Sequence, residues 1–145
     1  MFGENFKNMS PKEVIRCLEE IDKKRIKFIE DNSDILHKKI YSENSDIDLL
    51  NEVGKYASSK YYDVVYFKTK EIPMFGEEFK IVDLHYIHIY NKEGCLCISI
   101  FCDNEGGTMS SMYRSHYELY DTDTVKIYFK NEENALLNKV KELIN

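Results

Sequence analysis

The sequence predicts an α+β fold: N-terminal helices, an antiparallel sheet of four to five strands, and a C-terminal helix packed on one sheet face. Three observations predict it. Apolar residues recur at helical spacing up to about residue 58, alternate with polar residues between about 61 and 130, and return to helical spacing at the end. The 145 residues are 43% apolar and 32% charged, so we expect one globular domain over 1–145.

Three helices are predicted in the N-terminal part. The first begins at Ser10-Pro11, because serine caps free N–H groups and proline fits the first helical position, and it should end near Glu30. A second helix is placed at about 35–40, with its isoleucines and leucine forming an apolar face. The third follows a Ser-Asp cap and covers about 45–58.

The middle of the chain predicts strands at 61–69, 79–90 and 95–102, which are rich in β-branched and aromatic residues. A four-residue loop over 91–94 then pairs Tyr90 with Cys95. That register gives the sheet a core face and a second, partly open face. The core face carries Ile87, Ile89, Leu96, Ile98 and Ile100. The open face carries Tyr86, His88, Tyr90, Cys97 and Phe101.

Residues 108–120 fit either a helix or a strand. Met109, Met112, Tyr113, His116 and Tyr120 have helical spacing, but Tyr-rich and Ser-rich sequence is a poor helix former, so we favour a hairpin. It joins strands 115–120 and 124–130 through the three residues 121–123. The predicted pairs are Leu119 with Val125 and Tyr117 with Ile127, all on one face with Phe129. A last helix, capped by Asn131, should turn Leu136, Leu137, Val140, Leu143 and Ile144 toward the core.

The net charge of −6 is concentrated in residues 103–123, which hold five acidic residues and one basic residue. Phosphates would repel such a protein, so we expect no nucleic-acid partner, whereas a basic protein would be attracted. The N-terminus has no apolar signal-peptide region, and no run is long enough to span a membrane. We therefore expect a cytoplasmic protein with no membrane association and with four reduced cysteines.

Two side-chain groups could carry chemistry. His88 and Cys97 would be cross-strand neighbours, but strand alternation brings too few ligands together for zinc, so we expect no metal and no cofactor. Asp83, His85 and Cys102 share one end of the core face, as a nucleophile, base and orienting acid would. No strained turn presents the cysteine, so we expect a structural polar pair and no enzymatic activity.

The acidic tyrosine-rich segment is either a plain surface connection or a recognition surface. As a recognition surface, its tyrosines would supply contact area and its carboxylates would attract a basic target. The predicted partner-binding residues are Asp103, Glu105, Tyr113, Tyr117, Glu118, Tyr120, Asp121 and Asp123. In overall character the chain resembles bacterial immunity proteins, which implies an inhibitor that occludes the active site of a toxin such as a nuclease. A small-molecule-binding or structural module using the open sheet face, and a small hydrolase, remain alternatives.

Overall fold

The computed structural model describes residues 8–72, 81–104 and 115–145. Within these ranges the protein is α+β, with N-terminal helices, a six-stranded antiparallel open sheet and a C-terminal helix. The helices are α1 (Pro11–Asp31), α2 (Asp48–Ser59) and α3 (Glu133–Leu143), the last preceded by a 3₁₀ turn at Lys130–Glu132. The strands are β1 (Ile40–Ser42), β2 (Asp63–Glu71), β3 (Val82–Tyr90), β4 (Leu96–Asp103), β5 (His116–Tyr120) and β6 (Val125–Phe129). No helix in these ranges is both long enough and apolar enough to cross a membrane.

The strands follow one another in chain order across the sheet, and α3 contacts both α2 and β6. The hydrophobic core joins α2 and α3 to one sheet face. Its fully buried side chains include Leu50, Val53, Ile87, Ile100, Leu136 and Val140. The predicted core members of the last helix are buried or partly buried except Leu143, which is 37% exposed.

The first and third predicted helices are confirmed, and the second is wrong. Two predicted caps are also wrong: α2 begins after Ile47 and not at a Ser-Asp cap, and α3 begins after Glu132 and not after Asn131. Ser10 Oγ accepts the N–H of Glu13 at 3.3 Å, which is the cap that the sequence predicts for α1. The chain at 35–40 instead turns and enters the short strand β1, so the sheet has six strands and not the predicted four to five. His37 has a positive φ of 64°, and its N–H donates to the carbonyl of Lys70 at 3.0 Å. A left-handed residue tied to β2 cannot continue a helix.

The hairpin between β3 and β4 has a different register from the predicted one. Asn91 Oδ1 accepts the N–H groups of Glu93 and Cys95, which extends the loop to five residues. Tyr90 therefore pairs with Leu96 at a bulge, and His88 pairs with Ser99 and not with Cys97. Beyond the bulge the shift is two residues, so the predicted isoleucines keep the core face, whereas Leu96, also predicted there, is 45% exposed.

The hairpin between β5 and β6 exists, but its predicted pairing is wrong by one residue. Asp121 Oδ1 accepts the N–H groups of Asp123 and Thr124, so the turn has four residues. Tyr120 pairs with Val125 and Tyr117 with Tyr128. Tyr117 and Leu119 consequently lie on the core face, whereas Val125, Ile127 and Phe129 lie on the opposite one.

Candidate partner-binding surface

The structure separates the residues that were predicted to bind a partner. Glu105 and Tyr113 lie outside the described residues. Three of the others reach the surface at least in part: Tyr120, Asp121 and Asp123. Three are internal, with 0 to 3% of their area exposed: Asp103, Tyr117 and Glu118. An internal side chain makes contacts within the protein and offers no surface to a partner in this conformation.

Glu118 is held in a buried polar group with its strand neighbours. His116 Nε2 lies 2.9 Å from Glu118 Oε2, and the two side chains are 0% and 4% exposed. Tyr120 Oη donates to the other carboxylate oxygen at 2.7 Å. Burial and this hydrogen bond raise the pKa of Tyr120 to about 12. The Glu118 carboxylate, which the sequence assigns to a surface, is thus buried and hydrogen-bonded within the protein.

Tyr117 belongs to a second internal group, which ties β4, β5 and the start of α3 together. Its hydroxyl donates to Glu133, and Lys130 Nζ donates to that hydroxyl at 3.1 Å. The same ammonium group donates to Asn104 Oδ1 at 2.7 Å and lies 3.5 Å from Cys102 Sγ. It also lies 4.4 Å from the centroid of the Tyr117 ring. Burial raises the pKa of Tyr117 above its ordinary value.

This second group borders a pocket at the N-terminal ends of α2 and α3, with a volume of about 400 Å³. We call it the acidic pocket, because four carboxylates and a single ammonium group line it. The charged lining residues are Asp46, Asp48, Glu52, Glu133 and Lys130. The first two turns of α2 supply Asp48 and Glu52, and the helix dipole stabilises the negative charge of Asp48 in the first turn.

Sequence reasoning missed this pocket, although one signal pointed to it. Residues 40–54 contain four acidic residues and no basic one. The balanced charges of the preceding helix hide that run when charge is summed over the N-terminal part as a whole. Glu133 and Lys130 could not have been added from the sequence, because they approach α2 only in the folded protein.

Asp83, His85 and Cys102 are brought near one another, yet they are not arranged as a catalytic triad. His85 pairs directly with Cys102 across β3 and β4. Burial raises the pKa of the Cys102 thiol to about 11, so it is protonated, and poorly nucleophilic, at neutral pH. Asp83 bonds Lys70 at 2.9 Å rather than orienting the histidine. Burial alone would raise the pKa of Asp83, but Lys70 and Lys68 bring it below its ordinary value.

The second sheet face carries a ladder of aromatic rings. Successive centroid distances of 5.7, 4.7, 5.6 and 6.5 Å link five rings in order across the strands. The rings belong to Tyr41, Phe67, Tyr86, Phe101 and Tyr120. Cross-strand aromatic pairs of this kind stabilise a sheet, so the ladder has a structural explanation without a ligand. Among the described residues, no three His, Cys, Asp or Glu side chains are placed to share a metal ion.

No protein-family model matches the sequence, and comparison with curated proteins and with solved structures found no match. What the acidic pocket can bind follows from its own charge and shape. A concave site rimmed by carboxylates suits a cationic group, such as a lysine or arginine side chain of another protein, through charge-assisted hydrogen bonds.

Proposed function

We propose that this protein is an immunity-like inhibitor, which binds a basic partner such as a nuclease toxin and covers its active site. The observation that carries the proposal is the acidic pocket, where four carboxylates face one ammonium group in a chain of net charge −6. A nuclease holds phosphate with lysine and arginine side chains. The carboxylates of the acidic pocket would bind those lysine and arginine side chains in place of phosphate.

The contacts around the pocket leave part of its charge available. Lys130 is engaged by Asn104 and Tyr117, and the Asp46 carboxylate lies 3.8 Å from Lys68 Nζ. In the described part of the chain, no ion pair engages Asp48 or Glu52. These two exposed carboxylates are therefore the ones that we assign to a partner's cations.

Two effects would contribute to binding. Exposed negative charge steers a basic partner and raises the association rate, an effect that salt screens. The pocket floor is preorganised, because the hydrogen bonds of Tyr117 fix both Glu133 and Lys130 before any partner arrives. The exposed Tyr120 and Asp123 lie at the turn between β5 and β6. A partner bound at the acidic pocket would contact them only if that partner also covers α3.

The test reverses charge at the pocket and, as a matched control, elsewhere. The double variant Asp48→Lys with Glu52→Lys is compared with Glu20→Lys with Glu93→Lys, which makes the same change in net charge at other exposed positions. The probes are an arginine-rich peptide and the protein product of the gene next to this one. Association rates are measured by surface plasmon resonance at two salt concentrations.

We expect the pocket variant to associate at least about tenfold more slowly than the control variant. Equal slowing of both variants would place the contact away from the acidic pocket. A wild-type protein that binds neither probe at low salt would refute the inhibitor function itself. The association rate of Asp123→Lys, measured in the same way, tests whether the exposed part of the surface predicted from the sequence contacts the partner.

A further inference from the structure

Helix α1 exposes a set of large aliphatic side chains. None of its 21 residues is buried. Four of them are exposed by 38 to 56%: Ile15, Leu18, Ile26 and Ile29. Several bulky aliphatic residues on one exposed helix are typical of an interaction surface.

Five residues of α1 follow one another at alternating steps of three and four, which is the spacing of a coiled-coil seam. The outer three are apolar and the central two carry opposite charges: Ile15, Leu18, Asp22, Arg25 and Ile29. In the described part of the chain, neither Asp22 nor Arg25 takes part in an ion pair. Within the described residues, the apolar side chains are thus exposed and the two charges have no ion-pair partner.

We propose that α1 pairs with α1 of a second copy in antiparallel orientation. Antiparallel seam packing sets Leu18 against Ile29 of the second copy, and Asp22 against Arg25 of the second copy. Two-fold symmetry repeats each contact. The result is a central pair of ionic layers flanked by apolar layers, with Ile15 and Ile26 beside them.

Charge selects both this orientation and this occupant. In a parallel pair Asp22 would face Asp22, and Arg25 would face Arg25. In an antiparallel pair Asp22 faces Arg25 in both central layers, so the seam is complementary to itself. A polar layer in such a seam specifies register and orientation.

The test uses the full chain and two single charge reversals. Asp22→Arg and Arg25→Asp each place like charges in both central layers, so each should raise the dimer dissociation constant at least about tenfold. An equimolar mixture of the two variants should recover association, because every layer then joins opposite charges. In each variant, residues 22 and 25 of the same helix carry like charges. Recovered association of the mixture can therefore come only from contact between the two different copies.

Glu30→Arg and Lys23→Asp are the controls, since they change charge equally away from the seam. Mass is measured by sedimentation equilibrium over a concentration series. A wild-type chain that is monomeric up to about 1 mM would overturn the proposal, since affinity weaker than that is negligible. So would a mixture that stays monomeric. An unchanged dissociation constant for Asp22→Arg would overturn the antiparallel arrangement, because a parallel wild type already contains like-charge layers.

Discussion

Reversing the charge of Glu118 should unfold much of the protein, although this residue was predicted to lie on a surface. Its side chain is 4% exposed, 2.9 Å from His116 Nε2, and it accepts a hydrogen bond from Tyr120 at 2.7 Å. Glu118→Lys removes both contacts and buries an ammonium group. Breaking a buried pair costs about 3–5 kcal/mol, against a total stability on the order of 5–15 kcal/mol for a natural domain.

Asp123→Lys is the matched control, because it makes the same charge change at an exposed turn position. Urea denaturation followed by circular dichroism gives the free energy of unfolding, and an unchanged slope confirms that only stability differs. Glu118→Gln keeps the side-chain shape and should lose about 1–3 kcal/mol, so a result is available even if the lysine variant does not fold. A lysine variant as stable as Asp123→Lys would refute the internal placement of Glu118.

Two further predictions concern the core. Gly54→Ala should lower the free energy of unfolding by about 1–3 kcal/mol, because the added Cβ would lie 1.8 Å from Tyr66 Oη. This clash outweighs the higher helix propensity of alanine. Chemical denaturation should show a smaller loss of stability when Tyr66→Phe is also present. Cys102 should resist alkylation at pH 7 while the exposed Cys95 reacts, as mass spectrometry of the labelled protein would show. Burial raises the pKa of Cys102 from 9.0 to about 11. The stability that the protonated thiol contributes is therefore complete below pH 9 and decreases as the pH rises toward 11. In Cys102→Ala, the free energy of unfolding should consequently fall less steeply between pH 9 and pH 11.

Local patterns predicted most of the secondary structure. The Ser10 cap and the helical spacing after it place α1, and period-two alternation places the long strands near their observed bounds. These features depend on neighbours within a few residues. The failure at 35–40 has a different cause, since an apolar spacing that fits a helix was overridden when His37 bonded to Lys70, a residue far along the chain.

The candidate site was less predictable than the fold. Summed charge drew attention to residues 103–123, whereas the acidic pocket combines the run at 46–52 with Glu133 and Lys130. Charge counted along a sequence cannot distinguish an exposed carboxylate from one that is buried and hydrogen-bonded inside the protein. Glu118 and Asp48 look alike in the sequence, yet the first bonds His116 and Tyr120 and the second is exposed.

The sequence by itself determined the α+β class, the positions of the long elements and the isoleucine-rich core, because all three follow from the periodicity of apolar residues. Only the tertiary structure decided which face each strand of the second hairpin presents. There β5 pairs with β4, which sets Tyr117 opposite the buried Cys102, and the turn that begins at Asp121 has one residue more than predicted. Successive side chains of a strand point to opposite faces, so the pairing with β4 holds Tyr117 in the core while the added turn residue places Val125 on the opposite face.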